Sequence, residues 1–112
     1  MSDRPIRILV DVPVEPAALA ALRDSGRFEV DCMETPAETV RAIAPARLKD
    51  VESLFCTFPP SNLHDMPALR WIQIASAGYS QLFGLDLAAR GVRATNARGC
   101  FDVPIGEWCV AM

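Results

Sequence analysis

Five short apolar runs punctuate the chain, separated by segments of helical or turn composition. The runs are 5–11 (PIRILVD), 28–33 (FEVDCM), 53–57 (SLFCT), 69–75 (LRWIQIA) and 92–96 (VRATN). Ile8, Leu9 and Val10 are consecutive, which suits a strand covered on both faces rather than one that alternates between core and water. Strand-like runs alternating with helical segments point to α/β layering. Crossover connections pair such strands in parallel, with right-handed chirality. The expected sheet has five strands in the order 2-1-3-4-5, with helices on both faces.

This is a flavodoxin-like arrangement, and the intervening segments supply its helices. Residues 15–25 (EPAALAALRDS) have helical composition, with Pro16 in the first turn and Gly26 where a helix ends. Ala18, Leu19 and Leu22 are its expected buried stripe. Thr35-Pro36-Ala37-Glu38 reads as a helix start, with a cap, a proline and a glutamate three residues after the cap. That helix is expected to run to Ile43 or Ala44, before Pro45. Residues 80–91 read as a turn plus helix and 102–112 as a last helix, which Asp102 can cap and whose first turn Pro104 fits. The last helix carries Trp108, Val110 and Met112 without a Gly cap, a basic last turn or a following proline. The expectation is a chain cut from a longer protein: 1–101 as a domain, 102–112 as the start of an outgoing helix.

At 112 residues and 12.2 kDa, a compact chain should expose about 6,000 Å² folded against about 17,700 Å² unfolded, enough burial for one core. Hydrophobic residues at 51% and charged residues at 22% exclude a disordered chain. Eleven basic and 14 acidic residues give a net charge of −3, with no basic stripe to hold nucleic acid or an anionic membrane. No apolar stretch approaches the about 20 residues of a spanning helix, and the N-terminus lacks signal-peptide features. The expected location is cytoplasmic, with Cys32, Cys56, Cys100 and Cys109 as reduced thiols. Without a Cys-x-x-Cys, and with His64 as the sole histidine, there is no zinc spacing.

Two segments can carry chemistry. Both follow the carboxyl ends of strands, where open α/β sheets bind ligands. The first is 75–80 (ASAGYS). Gly78 permits positive φ and close approach of a ligand, successive backbone N–H groups there make an anion nest, and Ser76 adds a hydroxyl donor. The same spacing equally describes a tight strand-to-helix turn with glycine present for geometry. The second is Thr57-Phe58-Pro59-Pro60. Phe58 is either the apolar wall of a pocket or part of a proline-terminated loop. Asn96 and Gly99 suit a turn before the last helix.

Three segments in order carry a family likeness: 69–79 (LRWIQIASAGY), 90–99 (RGVRATNARG) and 103–108 (VPIGEW). Together they resemble the N-terminal, substrate-binding half of the D-isomer-specific 2-hydroxyacid dehydrogenase family. The likeness covers 69–112 motif by motif and 1–68 in pattern only. It implies a longer, two-domain enzyme of the glyoxylate/hydroxypyruvate reductase kind, moving hydride reversibly between NAD or NADP and a 2-oxo acid. The resemblance places the substrate carboxylate on the backbone N–H groups of Ala77 and Gly78, flanked by Ser76 and Tyr79. Thr57 and Phe58 would form pocket walls. Phe101 stands where some members carry a substrate-facing Asn, implying a bulkier substrate side chain. The family's catalytic Arg, Glu and His and its dinucleotide fingerprint belong to the cofactor domain. No G-x-G-x-x-G occurs in this sequence. The chain alone is therefore expected to hold no catalytic residue, to bind no cofactor and to be inactive, and the full-length enzyme to be a homodimer through the cofactor domain. Glu107 matches a recurrent family position and is read as a hinge residue. Ser80 stands where Asp is frequent and Gly106 where Ala is, the latter costing up to about 1 kcal/mol in a helix.

The competing expectation is a stand-alone flavodoxin-like module that binds a small molecule or regulates without catalysis. A phospho-receiver version needs an Asp ending the third strand, where this chain has Cys56-Thr57, and an acidic group after the first, where only Asp11 stands. A hydrolase built on His64 lacks a G-x-S-x-G elbow, which leaves His64 as a surface residue.

Overall fold

The computed structural model describes residues 4–34 and 39–112. Strands β1 (Ile6–Asp11), β2 (Phe28–Cys32), β3 (Ser53–Cys56), β4 (Trp71–Ile74) and β5 (Arg93–Thr95) form one sheet in the order β2-β1-β3-β4-β5. All pairings are parallel. Asp11 lies opposite Cys56, and Cys56 opposite Ile74, so the carboxyl ends of β1, β3 and β4 finish level. The helices are α1 (Pro16–Asp24), α2 (Pro45–Leu48) and α3 (Asp102–Ala111).

The two faces of the sheet are finished differently. Leu9, Leu54, Cys56, Ile72 and Ile74 turn to one face and pack with Ile43, Leu48 of α2, Leu63, Met66, Leu69 and Val92, all buried. The opposite face holds a smaller buried set, Val10, Val12 and Val30, against half-covered Ile8, Leu19, Phe28 and Phe55. Here α1 is the covering helix. Glu15 caps it, accepting from the Ala18 N–H at 2.9 Å, and Gly26 follows its end at φ 71°, a left-handed geometry that glycine adopts without strain. The expected buried stripe does not form. Leu19 is half-buried, but Ala18 is exposed and Leu22 is 39% exposed. These side chains instead border an open apolar groove of about 330 Å³ floored by Ile8, Val10, Phe55 and Trp71.

The molecule is accordingly looser than its size predicts. Its surface is 7538 Å², against the about 6,000 Å² expected from mass. Its radius of gyration is 15.3 Å, against about 13 Å for a compact chain of this length. The open groove contributes, and so does α3, on which Trp108 and Val110 are exposed, with Met112 exposed just past its end.

Three local expectations are corrected. Thr35–Glu38, the anticipated helix start, lies outside the described residues, and 39–44 are not helical. The Asn62 side chain takes both backbone groups of Ile43, accepting from its N–H at 3.0 Å and donating to its carbonyl at 2.7 Å. Neither group is then free for a helical ladder. Pro45 starts α2, at a first-turn position where its missing N–H costs nothing. Residues 80–91 form a single 3-10 turn (Ser80–Leu82) followed by irregular turns. Phe83 is extended there, and Gly84 and Asp86 have φ of 81° and 57°, which no right-handed helix accommodates. At α3, Phe101 occupies the cap position without a side-chain bond, and Asp102 sits in the first turn, where its charge suits the helix dipole. Among the described residues no helix is long and apolar enough to cross a membrane.

Candidate functional site

The loop after β4 begins as an extension of the sheet, with the Ala75 N–H donating to the Cys56 carbonyl at 2.9 Å. Beyond it, three successive carbonyls are captured. The Ser76 carbonyl accepts from the Ala97 N–H at 3.0 Å. The Ala77 carbonyl accepts from Asn96 Nδ2 at 2.8 Å. The Gly78 carbonyl accepts from Ser76 Oγ at 2.8 Å. All peptides here are trans, so each N–H points opposite to the carbonyl of its own peptide unit. The first two carbonyls both turn toward 96–97. The N–H groups of Ala77 and Gly78 therefore both turn away from that segment, side by side. Neither donates to any acceptor among the described residues. Two adjacent N–H donors facing the same way are an arrangement that can receive an anion.

Gly78 serves this arrangement differently from expectation. Its φ is not positive, and a Cβ placed on it would meet nothing within 4 Å. Its contribution is open space above the donors. Ser76 is also corrected. Its hydroxyl hydrogen goes to the Gly78 carbonyl, and its oxygen accepts from Gln81 Nε2 at 2.8 Å. It braces the loop and has no proton left to donate to a ligand. The same Gln81 nitrogen donates to the Thr57 carbonyl at 2.8 Å, fastening the loop after β3 to the loop after β4.

Of the residues singled out in the sequence, Thr57, Ser76, Ala77 and Gly78 thus come together through Gln81 and Asn96. Tyr79 continues the loop, exposed, its ring edge-on to Phe83 at 5.8 Å. Phe58 is half-buried beside Thr57. Phe101 stands at the start of α3, exposed, and no described hydrogen bond or ring contact joins it to the others.

The end of β1 supports the same edge. Asp11 is 2% exposed and receives Arg41 through both guanidinium branches, at 2.8 and 2.9 Å. The hydrogen bond to Asp11 holds the Arg41 guanidinium charged well above its ordinary range. The Arg41 carbonyl accepts from the Ser61 N–H, so this pair ties 41–43 to the loop after β3. Beside Asp11, burial, with a smaller contribution from the Asp11 charge, pushes the Cys56 thiol up to about 12, leaving it protonated and unreactive. His64 is exposed, 3.7 Å from Asp65. Among the described residues, no cluster of His, Cys, Asp or Glu could hold a metal ion. Gln81, Asn96 and Arg41 went unassigned in the sequence. Only the turn propensity of Asn96 was legible, and it does not say which carbonyl the side chain meets.

No protein-family model matches the sequence, and no curated protein sequence does. Solved structures do match. An NADPH-dependent glyoxylate/hydroxypyruvate reductase from Sinorhizobium meliloti, bound to NADP and malonate, superimposes with a TM-score of 0.70 at 23% identity, covering 97% of this chain and 33% of that one. The NAD+-bound 3-phosphoglycerate dehydrogenase of Entamoeba histolytica gives 0.72 at 18% identity, covering 96% and 38%. Rhodotorula graminis D-mandelate dehydrogenase gives 0.64 at 20%, covering 96% and 35%. The fold is that of one domain of such dehydrogenases. The chain spans about a third of the length of the proteins it matches.

Proposed function

We propose that this chain is the substrate-binding part of an NAD(P)-dependent D-2-hydroxyacid dehydrogenase or 2-oxo acid reductase, with the Ala77 and Gly78 N–H groups receiving the substrate carboxylate. The observation that carries this reading is the pair of unspent N–H donors, turned outward by capture of the carbonyls of Ser76 and Ala77. A carboxylate has two oxygens to match two parallel donors, and hydrogen bonds to a charged acceptor are the stronger kind. The likeness to the dehydrogenase structures supplies the reaction class. Thr57 and Phe58 would border the substrate from the neighbouring loop.

The turn after β1 does not fit the pyrophosphate of a nicotinamide dinucleotide. It is Val12-Pro13-Val14 without glycine, and Glu15 occupies the cap of α1. Its carboxylate stands where a pyrophosphate would need bare N–H groups. Hydride transfer, the catalytic Arg, Glu and His, and the homodimer contact belong in this reading to a cofactor domain beyond 102–112.

Titrating the 15N-labelled chain with pyruvate tests the proposal. The amide signals of Ala77 and Gly78 should shift with a dissociation constant on the order of millimolar, and should not shift with the neutral pyruvamide. Absence of a pyruvate response at both amides would overturn the carboxylate site. Oxidation of NADH by the chain with any 2-oxo acid would overturn the need for another domain.

A further inference from the structure

We infer that Asn96 is a positioning residue that fixes the anion-binding polarity of the loop without touching the ligand; this rests on the carboxylate reading above. The three peptide units of the loop are not held alike. The 76–77 unit is held by a backbone donor, the Ala97 N–H. The 78–79 unit is held by Ser76 Oγ, itself held by Gln81. The middle unit, whose N–H belongs to Gly78, has its carbonyl held, among the described residues, by Asn96 Nδ2 alone.

That middle unit is also the one most able to turn over. Rotating a peptide by half a turn exchanges its N–H for its C=O and mainly changes ψ of the preceding residue and φ of the following one. The following residue is Gly78, which tolerates either sign of φ and has nothing within 4 Å of its Cβ position. A turned unit would present a carbonyl dipole to the ligand and repel a carboxylate. Asn96 opposes this by holding the Ala77 carbonyl on its own side. Its Oδ1 accepts from the Arg98 N–H at 3.4 Å, which orients the carboxamide with Nδ2 toward the loop.

The test compares pyruvate titrations of the wild-type chain, Asn96→Ala and Asn96→Asp, followed by amide NMR and by melting. Aspartate keeps the shape but cannot donate. With one hydrogen bond at stake, both variants should bind pyruvate about fivefold more weakly or worse. The Gly78 amide should lose its response while the Ala77 amide, held by the backbone of Ala97, keeps it. A merely structural role would weaken both amides together. Binding within twofold of wild type, with Gly78 still responding, overturns the role of Asn96 and leaves the carboxylate reading standing. No response at either amide in the wild-type chain overturns both. Should neither variant fold, the wild-type chain decides. The Asn96 carboxamide signals must move with the same midpoint as the Gly78 amide, and if they stay fixed the inference fails.

Discussion

The two faces of the sheet are built from the same strands and yet do different work. On one face, Leu9, Leu54 and Ile72 lie in register and are wholly buried. One residue along, Val10, Phe55 and Gln73 lie in register on the other face, where only Val10 is buried and an apolar groove stays open. A parallel sheet normally has both faces covered, so the difference locates the stability of this chain. It also bears on the site. The β3 and β4 ends that anchor the nest, Cys56 and Ile74, belong to the sealed face. Ala75, the next residue, packs against the opposite cluster, so the loop is seated on both faces and more heavily on the sealed one.

Truncation of one strand at adjacent positions is the sharpest test. Leu54→Ala removes a buried side chain from the closed face and should destabilise the chain by about 2–5 kcal/mol. Phe55→Ala removes a larger side chain from the half-covered face, yet its loss should be the smaller of the two, because the partner atoms on one side of the ring are already missing. Urea denaturation of both variants checks the order. A larger loss for Phe55→Ala would mean that the groove is closed in solution.

Asp11 comes next. It is buried at the end of β1, and Arg41 reaches it with two bonds. Asp11→Ala strands part of the arginine's charge and should cost about 2–3 kcal/mol. The expected collateral effect is loosening of 41–43 and of the loop after β3, read as faster amide exchange at Ser61, whose N–H donates to the Arg41 carbonyl. Unchanged exchange at Ser61 would show that the pair stabilises β1 without steadying the edge.

The parts of this picture that were readable in the sequence are those governed by local pattern. Ile8-Leu9-Val10 announced a strand, and the alternation of strands and crossovers gave the order 2-1-3-4-5, but the cover expected on both faces is complete on one only, with Ile8 bordering the open groove. That 75–80 leaves the end of β4 as a loop of small residues was also readable. Failures came where a distant partner decided the outcome. Residues 39–44 were drawn as helix because nothing local reveals that Asn62 will take the backbone of Ile43. Residues 80–91 have helical composition, but Gly84 and Asp86 at positive φ interrupt them. The stripe on α1 follows the helical period correctly, yet burial needs an opposing surface, and Ala18 and Leu22 look onto the groove. Ser76 was assigned to the ligand because its hydroxyl is free in sequence; in three dimensions the Gly78 carbonyl and Gln81 use it.

Cys56 extends the comparison to pH. Its folded-state thiol is pushed up to about 12 by burial, from an ordinary value of 9.0. A group whose pKa is raised on folding stabilises the folded state below its unfolded pKa, and that contribution is lost as pH rises toward the folded value. From about pH 9 upward the chain should therefore lose stability steadily, on the order of 1 kcal/mol for each pH unit. Cys56→Ala should flatten this slope. A thiol reagent should label exposed Cys100 and Cys109 at once and Cys56 only after unfolding. On the acid side, hydrogen bonding by Arg47 holds the Asp31 carboxyl below its usual value of 3.8. That stabilisation is present above pH 3.8 and fades as pH falls below it, and because the Asp31 side chain is about half exposed, at 48%, solvent screening should keep its effect slight.

The smallest effect belongs to the rim of the open face, and it can break the comparison outright. Leu22 lies on α1 with 39% of its surface exposed and nothing buried around it on the helix. Leucine and lysine have similar helix propensity, and a lysine stem can lie along the groove with its charge in water. Leu22→Lys should therefore change stability by less than about 0.5 kcal/mol. The same substitution at Leu48, wholly buried under α2 against the other face, would place a charge in the core. If Leu22→Lys instead costs as much as Leu54→Ala, the groove is occupied in solution and the two faces are equally sealed. If it costs almost nothing, the asymmetry is a property of the chain itself.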